Sequence, residues 1–372
     1  MPLKIFQIAD VHIGMKYSAY PEEIRKKLIE ARFEALEKAV MQANERGCSL
    51  FVIAGDLFES LKASAADISR VRKILGLFCG AELLLLPGNH DYHDPNSDFW
   101  ERFEEGAPDL IRVLKHCGRT DLQVGDRELS ILAAPCDRKH SGQHRLGFLA
   151  ETELDEDRFN ILIAHGAIAE LSPDMDNLYF TMRMEELEAL PVDLCLTGHT
   201  HVPYPDRPRM ETKLFNPGTP EPDGMNYRYE GSGFYIEVGE DKSLFYEQVP
   251  LGQYRFFDEE AVCGSLADLE RLFSRHANPP PEKILLRLRL TGYMEKEEYE
   301  RRNEILQKLK EHFAYFKVDD DALRVRFTKS VLEAEFVRDS LPYAFLESLL
   351  QSEGEQLAHL AYELMKEVSK SD

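Results

Sequence analysis

Five short apolar runs along this chain each end in Asp, His or Asn. "IFQIADVH" ends in Asp10 and His12, and "LFVIAGD" in Gly55 and Asp56. "LLLLPGNHDYHD" passes through Pro87 and Gly88 to Asn89, His90 and Asp91. "NILIAHG" ends in His165, and "DLCLTGHTH" in His199 and His201. Runs this short and continuously apolar, closed by Gly or Pro-Gly, predict buried strands of a parallel sheet. Between the first of them Ile24, Leu28, Ala31, Ala35 and Val40 recur at helical spacing, which predicts a helix from about Pro21 to Arg46; a second is expected from about Ala63 to Phe78. Strand–helix–strand alternation of this kind predicts a layered α/β domain with helices against a sheet.

From about Arg112 the pattern turns to short strands, "IRVL", "LQVG" and "LSILAAP". A helix near Arg183 to Leu190 leads into "DLCLTGH", "TKLFNPGTPEP" reads as a Pro-Gly turn, and "GSGFYIEVGEDKSLFYEQV" as a closing hairpin. A second unit begins near Tyr254: strand "YRFF", helix Ser265 to His276, a "NPPP" break, strand "KILLRLRL", helix Glu295 to His312 and strand "ALRVRFT". The rest, about Glu333 to Val368, reads as helix broken at Pro342 and Gly354. The expected division is 1–253, 254–330 and 331–372. The expected fold class is α/β (α+β): a layered core, a small α+β domain and a helical tail.

Polar residues just past the carboxyl ends of parallel strands stand where open α/β sheets bind ligands. One Asp-x-His, or one buried His, is more often structural than functional. Five such endings would require a repeated coincidence. Gly55, Gly88, Gly166 and Gly198 lie beside these residues, where a close backbone approach needs a missing Cβ. Carboxylates, imidazoles and an amide suit a hard-to-borderline divalent metal. They outnumber what one tetrahedral ion can use, so two metals sharing a carboxylate are implied.

The series Asp10-x-His12, Gly55-Asp56, Gly88-Asn89-His90-Asp91, His165 and Gly198-His199-Thr200-His201 resembles the calcineurin-like metallophosphoesterase superfamily. The "ADVHIG" and "GDLF" wording, with the two segments that follow, is similar to SbcD-type DNA repair nucleases, including the YhaO-like bacterial branch. The resemblance implies a two-sheet core with two metal ions, manganese in this reading, at the strand ends. It assigns Asp10, His12 and His201 to one ion and Asn89, His165 and His199 to the other, with Asp56 bridging. His90 becomes the residue that stabilises or protonates the leaving oxygen, and Asp91 a brace for the turn. The third residue after the bridging Asp is His or Asp in many members; here it is Glu59, either a carboxylate orienting His90 and raising its pKa or a solvated loop residue. The resemblance further implies DNA as substrate, a capping domain after the core, an SbcC-like coiled-coil ATPase partner gripped by the C-terminal helices, and a homodimer.

The formal net charge of −22 changes this picture in one respect. Nucleic-acid binders carry a basic footprint, so the charge argues against tight independent DNA binding, though not against phosphodiester chemistry. Two strands offer local relief. In "KILLRLRL", Lys283, Arg287 and Arg289 share one face by alternation, and in "ALRVRFT" Arg324 and Arg326 share one. If these strands are neighbours they form a basic face for DNA phosphates; the competing reading is ion pairing with the Glu-rich 295–301 helix or other acidic segments of the same chain. Six scattered cysteines without a CxxC pair read as reduced residues of a cytoplasmic protein. No apolar stretch approaches the roughly 20 residues of a membrane span. The competing functions are a small-molecule or nucleotide phosphodiesterase or phosphatase, and a non-catalytic scaffold with a vestigial site.

Overall fold

The computed structural model describes residues 2–172, 178–207, 212–276, 279–352 and 355–370. The chain divides into two compact units, Met1–Phe256 and Phe257–Asp372. In chain order the first contains β1 (Leu3–Ile8), α1 (Glu22–Glu45), β2 (Leu50–Ala54), α2 (Ala65–Leu75), β3 (Glu82–Leu86), α3 (Phe99–Glu104), β4 (Ile111–Val113), β5 (Gly118–Val124), β6 (Arg127–Ala134), β7 (Phe159–His165), α4 (Met184–Ala189), β8 (Leu194–Gly198), β9 (Leu214–Phe215), β10 (Ser232–Val238) and β11 (Leu244–Pro250).

Two sheets organise these strands, ordered β11-β10-β1-β2-β3-β4 and β5-β6-β7-β8-β9. β1 to β4 run parallel, as do β6 to β9, so the carboxyl ends of the strands expected to carry ligands gather at one edge of each sheet. Those strands are split between the sheets, β1, β2 and β3 in one and β7 and β8 in the other. Alternation explains why they are apolar on both faces. Ile5, Val52 and Leu84 point toward Ile131, Ile161 and Leu196 of the opposite sheet in one buried cluster. Phe6, Phe51, Ile53 and Leu85 point the other way, onto Phe33, Leu36, Val40 and Val71 of α1 and α2. α2 begins at Ser64, whose side chain accepts from the Asp67 N–H, a cap that satisfies an otherwise orphaned donor. The short β9 falls inside the stretch expected to be only a turn.

The second unit contains β12 (Arg255–Val262, beginning at its border), α5 (Leu266–Glu270), β13 (Ile284–Met294), α6 (Lys296–His312), β14 (Tyr315–Val325), α7 (Lys329–Glu335), α8 (Leu341–Ser352) and α9 (Glu355–Lys370). Its sheet is ordered β12-β13-β14, and α6 crosses between the parallel β13 and β14. β14 starts seven residues before the expected "ALRVRFT", running through Asp319, Asp320 and Asp321 with an irregular register. The helix expected over Ser265 to His276 is short and continues as a 3-10 turn, Arg271–Ser274. Pro342 stands in the first turn of α8, where its missing N–H costs no hydrogen bond. Gly354, the other expected break, lies outside the described residues.

α7, α8 and α9 pack together through Val331, Leu332, Tyr343, Leu346, Ala358 and Tyr362, with Phe327. Leu357, Leu360, Leu364 and Val368 are exposed along the other side of α9. Among the described residues no helix is long and apolar enough to cross a membrane. All six cysteines are free thiols, and Cys48, Cys136, Cys195 and Cys263 are buried.

Candidate metal centre

The seven residues expected as ligands converge where the two sheets present their strand ends. Asp10 and His12 follow β1, Asp56 follows β2, Asn89 follows β3, His165 closes β7, and His199 and His201 follow β8. Five of them hold left-handed backbone conformations: Asp10 (φ 55), His12 (φ 50), Asp56 (φ 53), His199 (φ 103) and His201 (φ 54). Such residues cost on the order of 1–3 kcal/mol each and persist where the surroundings over-determine them.

The surroundings are specific. Past the strands the backbone pairing continues, from Asp10 N–H to Gly55 O at 3.1 Å and from His12 N–H to Asp56 O at 3.0 Å. Asp91 accepts from Gly88 N–H at 2.7 Å and Phe58 N–H at 2.9 Å, so it braces the turn as expected and joins two loops. Phe58 packs edge-on against Phe99 and Trp100 of α3, and the Trp100 indole donates to Asp91 O at 2.7 Å. Asp10 ties the sheets together by accepting the His199 N–H at 3.0 and 2.9 Å. A Cβ on Gly55 would fall onto the His165 ring, and one on Gly88 onto the Asp56 carboxylate.

Two donor sets face each other across Asp56. On one side His12 Nε2 lies 3.1 Å from His201 Nε2, and His201 Nε2 lies 3.7 Å from Asp10 Oδ1. On the other, Asn89 Oδ1 lies 3.0 Å from His165 Nε2 and 2.8 Å from His199 Nδ1. Asp56 Oδ2 reaches both, 3.7 Å from His12 Nε2 and 3.3 Å from His165 Nε2, while Oδ1 accepts the His90 N–H at 2.8 Å.

The hydrogen bonds behind the rings decide which lone pairs point inward. His165 Nδ1 meets Ala54 O at 2.8 Å and must donate to it, so neutral His165 turns its Nε2 lone pair toward the Asn89 oxygen. His201 Nδ1 is 2.6 Å from Asp223 Oδ2, which leaves the His201 Nε2 lone pair facing His12. Acceptors aimed at acceptors are resolved by a proton or a cation between them. Burial opposes the charged forms of His165 and His201, but Asp56 and Asp10 respectively outweigh it and push each up to about 9. The cluster draws positive charge inward, and its N/O donors fit divalent ions.

Two expectations need correction. The Glu59 carboxylate is turned to His12, not His90: Oε2 lies 2.9 Å from His12 Nδ1, out of line for a well-formed hydrogen bond. It is the Glu59 main-chain carbonyl that receives His90 Nδ1, at 3.1 Å; the carboxylate is 3.7 Å away. Lys283 falls in a 3-10 turn before β13. Arg287, Arg289, Arg324 and Arg326 belong to the second unit; the first three lie on the neighbouring strands β13 and β14, and Arg326 directly follows β14, its N–H donating to Met294 O. Each meets an acid there. Arg287 pairs with Asp258, Arg289 with Asp319 at 3.6 Å, Arg324 with Glu363 at 3.9 Å and Arg326 with Glu295 at 3.5 Å. In register Arg289 opposes Asp319 and Arg324 opposes Tyr293, four positions along β13, or roughly 13 Å at ~3.3 Å per residue.

Two contributors carry no motif. Asp223 is held down to about 2: burial works against its charge, but the hydrogen bond and charge of His201 prevail. Buried Arg32, on α1, donates to Val11 O at 2.7 Å and to Tyr17 Oη at 2.7 Å, pinning the loop between Asp10 and His12. Its one sequence signal is a cation on the apolar stripe of a helix. Carboxylates behind ligand histidines fix ring orientation, and losing one costs typically 10–100-fold in metal affinity. Asp223→Asn is therefore expected to weaken binding of one ion by that factor and leave the other unchanged, as read by isothermal titration with Mn2+. Equal weakening of both, or of neither, would separate Asp223 from His201.

A model of the calcineurin-like phosphoesterase family matches residues 3–203. A DNA double-strand break repair protein Mre11 of Methanosarcina acetivorans is 26% identical over 204 residues, 54% of this chain and 30% of its own length. The match thus spans under a third of that relative. Among solved structures, a Thermus thermophilus protein aligns over 67% of this chain and 99% of its own, with 15% identity and a TM-score of 0.39. A dimetal phosphatase from Danio rerio aligns over 68% and 100%, with 12% identity and a TM-score of 0.38. A Pseudomonas putida nuclease aligns over 48% and 73%, with 16% identity and a TM-score of 0.22.

Proposed function

From the premise that the chain belongs to the calcineurin-like phosphoesterase family, we propose that it is a two-metal DNA phosphodiesterase, the manganese-dependent nuclease subunit of an SbcCD-like repair complex. The observation that carries the chemistry is Asp56 Oδ2, facing His12 on one side and His165 on the other. Asp10, His12 and His201 would hold one ion, Asn89, His165 and His199 the second, and Asp56 both. Such a pair, when bound, clamps a phosphodiester, neutralises it and lowers the pKa of an attacking water. His90, oriented by the Glu59 carbonyl, gives the leaving oxygen its proton. Its place in one of the three clusters of suitable metal donors among the described residues, beside His12 and Asp56, makes a ligand role the competing assignment.

DNA as substrate is supported by the likeness to the DNA double-strand break repair protein of Methanosarcina acetivorans. The second unit would be a cap and partner module: its β12-β13-β14 sheet a capping domain, its exposed Leu357, Leu360, Leu364 and Val368 a stripe for the coiled coil of an SbcC-like ATPase. A cytoplasmic homodimer completes the reading. The net charge and the acid-paired arginines favour a second reading, hydrolysis of small phosphoesters. For those arginines to meet DNA they must exchange carboxylates for phosphates, or the ATPase must supply the grip.

The purified chain is expected to digest linear duplex and single-stranded DNA with Mn2+ and to leave a nucleotide phosphomonoester almost untouched. Hydrolysis of the monoester without digestion of DNA would replace the first reading by the second.

A further inference from the structure

Beside His199 and His201 opens a cavity of about 460 Å³, within the roughly 300–1,000 Å³ of small-ligand sites. The His199–Thr200–His201 loop and the segment Asn226–Tyr229 line it, together with Val202, Ser172, Tyr179 against the His199 ring and the Asp223 carboxylate that His201 holds. Tyr227 and Tyr229 pack edge to face there with ring centroids 5.7 Å apart. Between them in sequence Arg228 is exposed and, among the described residues, meets no carboxylate. This sets it apart from the arginines of the β13–β14 sheet, each of which has an acidic neighbour.

We infer that this cavity is a nucleoside subsite: it takes the base and sugar flanking the scissile phosphate, with Tyr229 offering a stacking face and Arg228 meeting the next phosphate along the strand. The inference rests on the diesterase reading above and deepens it. The cavity adjoins the metal centre, because the loop that carries His199 and His201 is also its wall, so one substituent of a diester held there has this cavity open to it. The lining selects the substituent. Aromatic rings stack on any base without reading its identity, and a guanidinium suits a phosphate geometrically as well as by charge. A base cannot enter while it is stacked in a duplex, so the strand being cut is unpaired at this nucleotide.

Two diesters with the same leaving group test this: thymidine 5′-(p-nitrophenyl phosphate) and methyl p-nitrophenyl phosphate. The wild-type chain with Mn2+ is expected to prefer the first. Tyr229→Ala should reduce the ratio of the two kcat/KM values by roughly 5- to 100-fold, the range of one lost stacking contact, and Tyr229→Phe should restore it. Arg228→Gln should lower kcat/KM on a single-stranded oligonucleotide more than on the thymidine diester, which has no second phosphate. A ratio that Tyr229→Ala does not change, with both diesters still hydrolysed, would overturn the subsite and leave the diesterase reading standing. Failure of the wild-type chain to hydrolyse either diester would overturn the diesterase reading itself. If Tyr229→Ala is poorly folded, the ratio for Tyr229→Leu decides: it keeps apolar bulk without an aromatic face and is expected to lower the ratio too, and an unchanged ratio would overturn the subsite.

Discussion

Asp56→Asn is expected to leave a folded protein that holds fewer than two metal ions and has lost diester hydrolysis. The reason lies in how the two oxygens are used. Oδ1 accepts the His90 N–H at 2.8 Å, and Oδ2 faces the ring nitrogens of His12 and His165. An asparagine keeps its amide oxygen on the His90 N–H, because that donor needs an acceptor. Its NH2 group is then turned toward the donor sets, where it cannot ligate. The backbone is spared, since Asn tolerates the left-handed φ of 53 found here. Metal charge stabilises the transition state by several kcal/mol, and each 1.4 kcal/mol is tenfold, so the loss should reach about 10³-fold or more. Metal analysis after equilibrium dialysis, with circular dichroism as the folding control, reads the outcome. Two retained ions with activity within tenfold of wild type would refute the shared-ligand assignment.

His90→Asn should behave differently. The His90 side chain reaches the Glu59 carbonyl through Nδ1, which must donate to it, so Nε2 can hand a proton to a leaving oxygen only from the imidazolium form, in which both nitrogens donate. Removing a positioned general acid costs typically 10²–10⁴-fold. Both ions should stay. A leaving group that needs no proton, such as p-nitrophenolate, should show a much smaller deficit than DNA, whose leaving group is an alkoxide. Equal deficits on the two substrates would remove the acid role, and loss of an ion would make His90 a ligand.

The residues that converge in the candidate metal centre were legible as a set because β1, β2, β3, β7 and β8 are buried on both faces, so each announces itself as an apolar run whose polar end stands out. β14 was legible only at its end. Asp319, Asp320 and Asp321 look like a loop, yet they lie on an edge strand, where charge is tolerated. That the two strands of the basic face are neighbours was only a condition in the sequence, and the structure meets it; of the acids that pair with them, Glu295 lies in the Glu-rich stretch the sequence pointed to, but Asp258 on β12 and Glu363 on α9 lie at distances along the chain that alternation cannot read. Asp223 and the turn of Glu59 toward His12 were invisible for a similar reason. Each depends on where a loop comes to rest, and neither leaves a periodic trace.

The tie between Asp10 and His199 joins residues 189 apart in sequence and on different sheets. Any cation bound among their neighbours would rivet the same seam from the other side. Its binding free energy then adds to the stability of the fold, by about 2.7 kcal/mol when the free ion stands at 100 times its dissociation constant. Several loops at this seam hold left-handed backbone conformations, and a bound ion would help to offset their cost. Catalytic competence and resistance to proteolysis would therefore rise and fall together with metal supply, and a chain starved of its cation would be short-lived as well as idle.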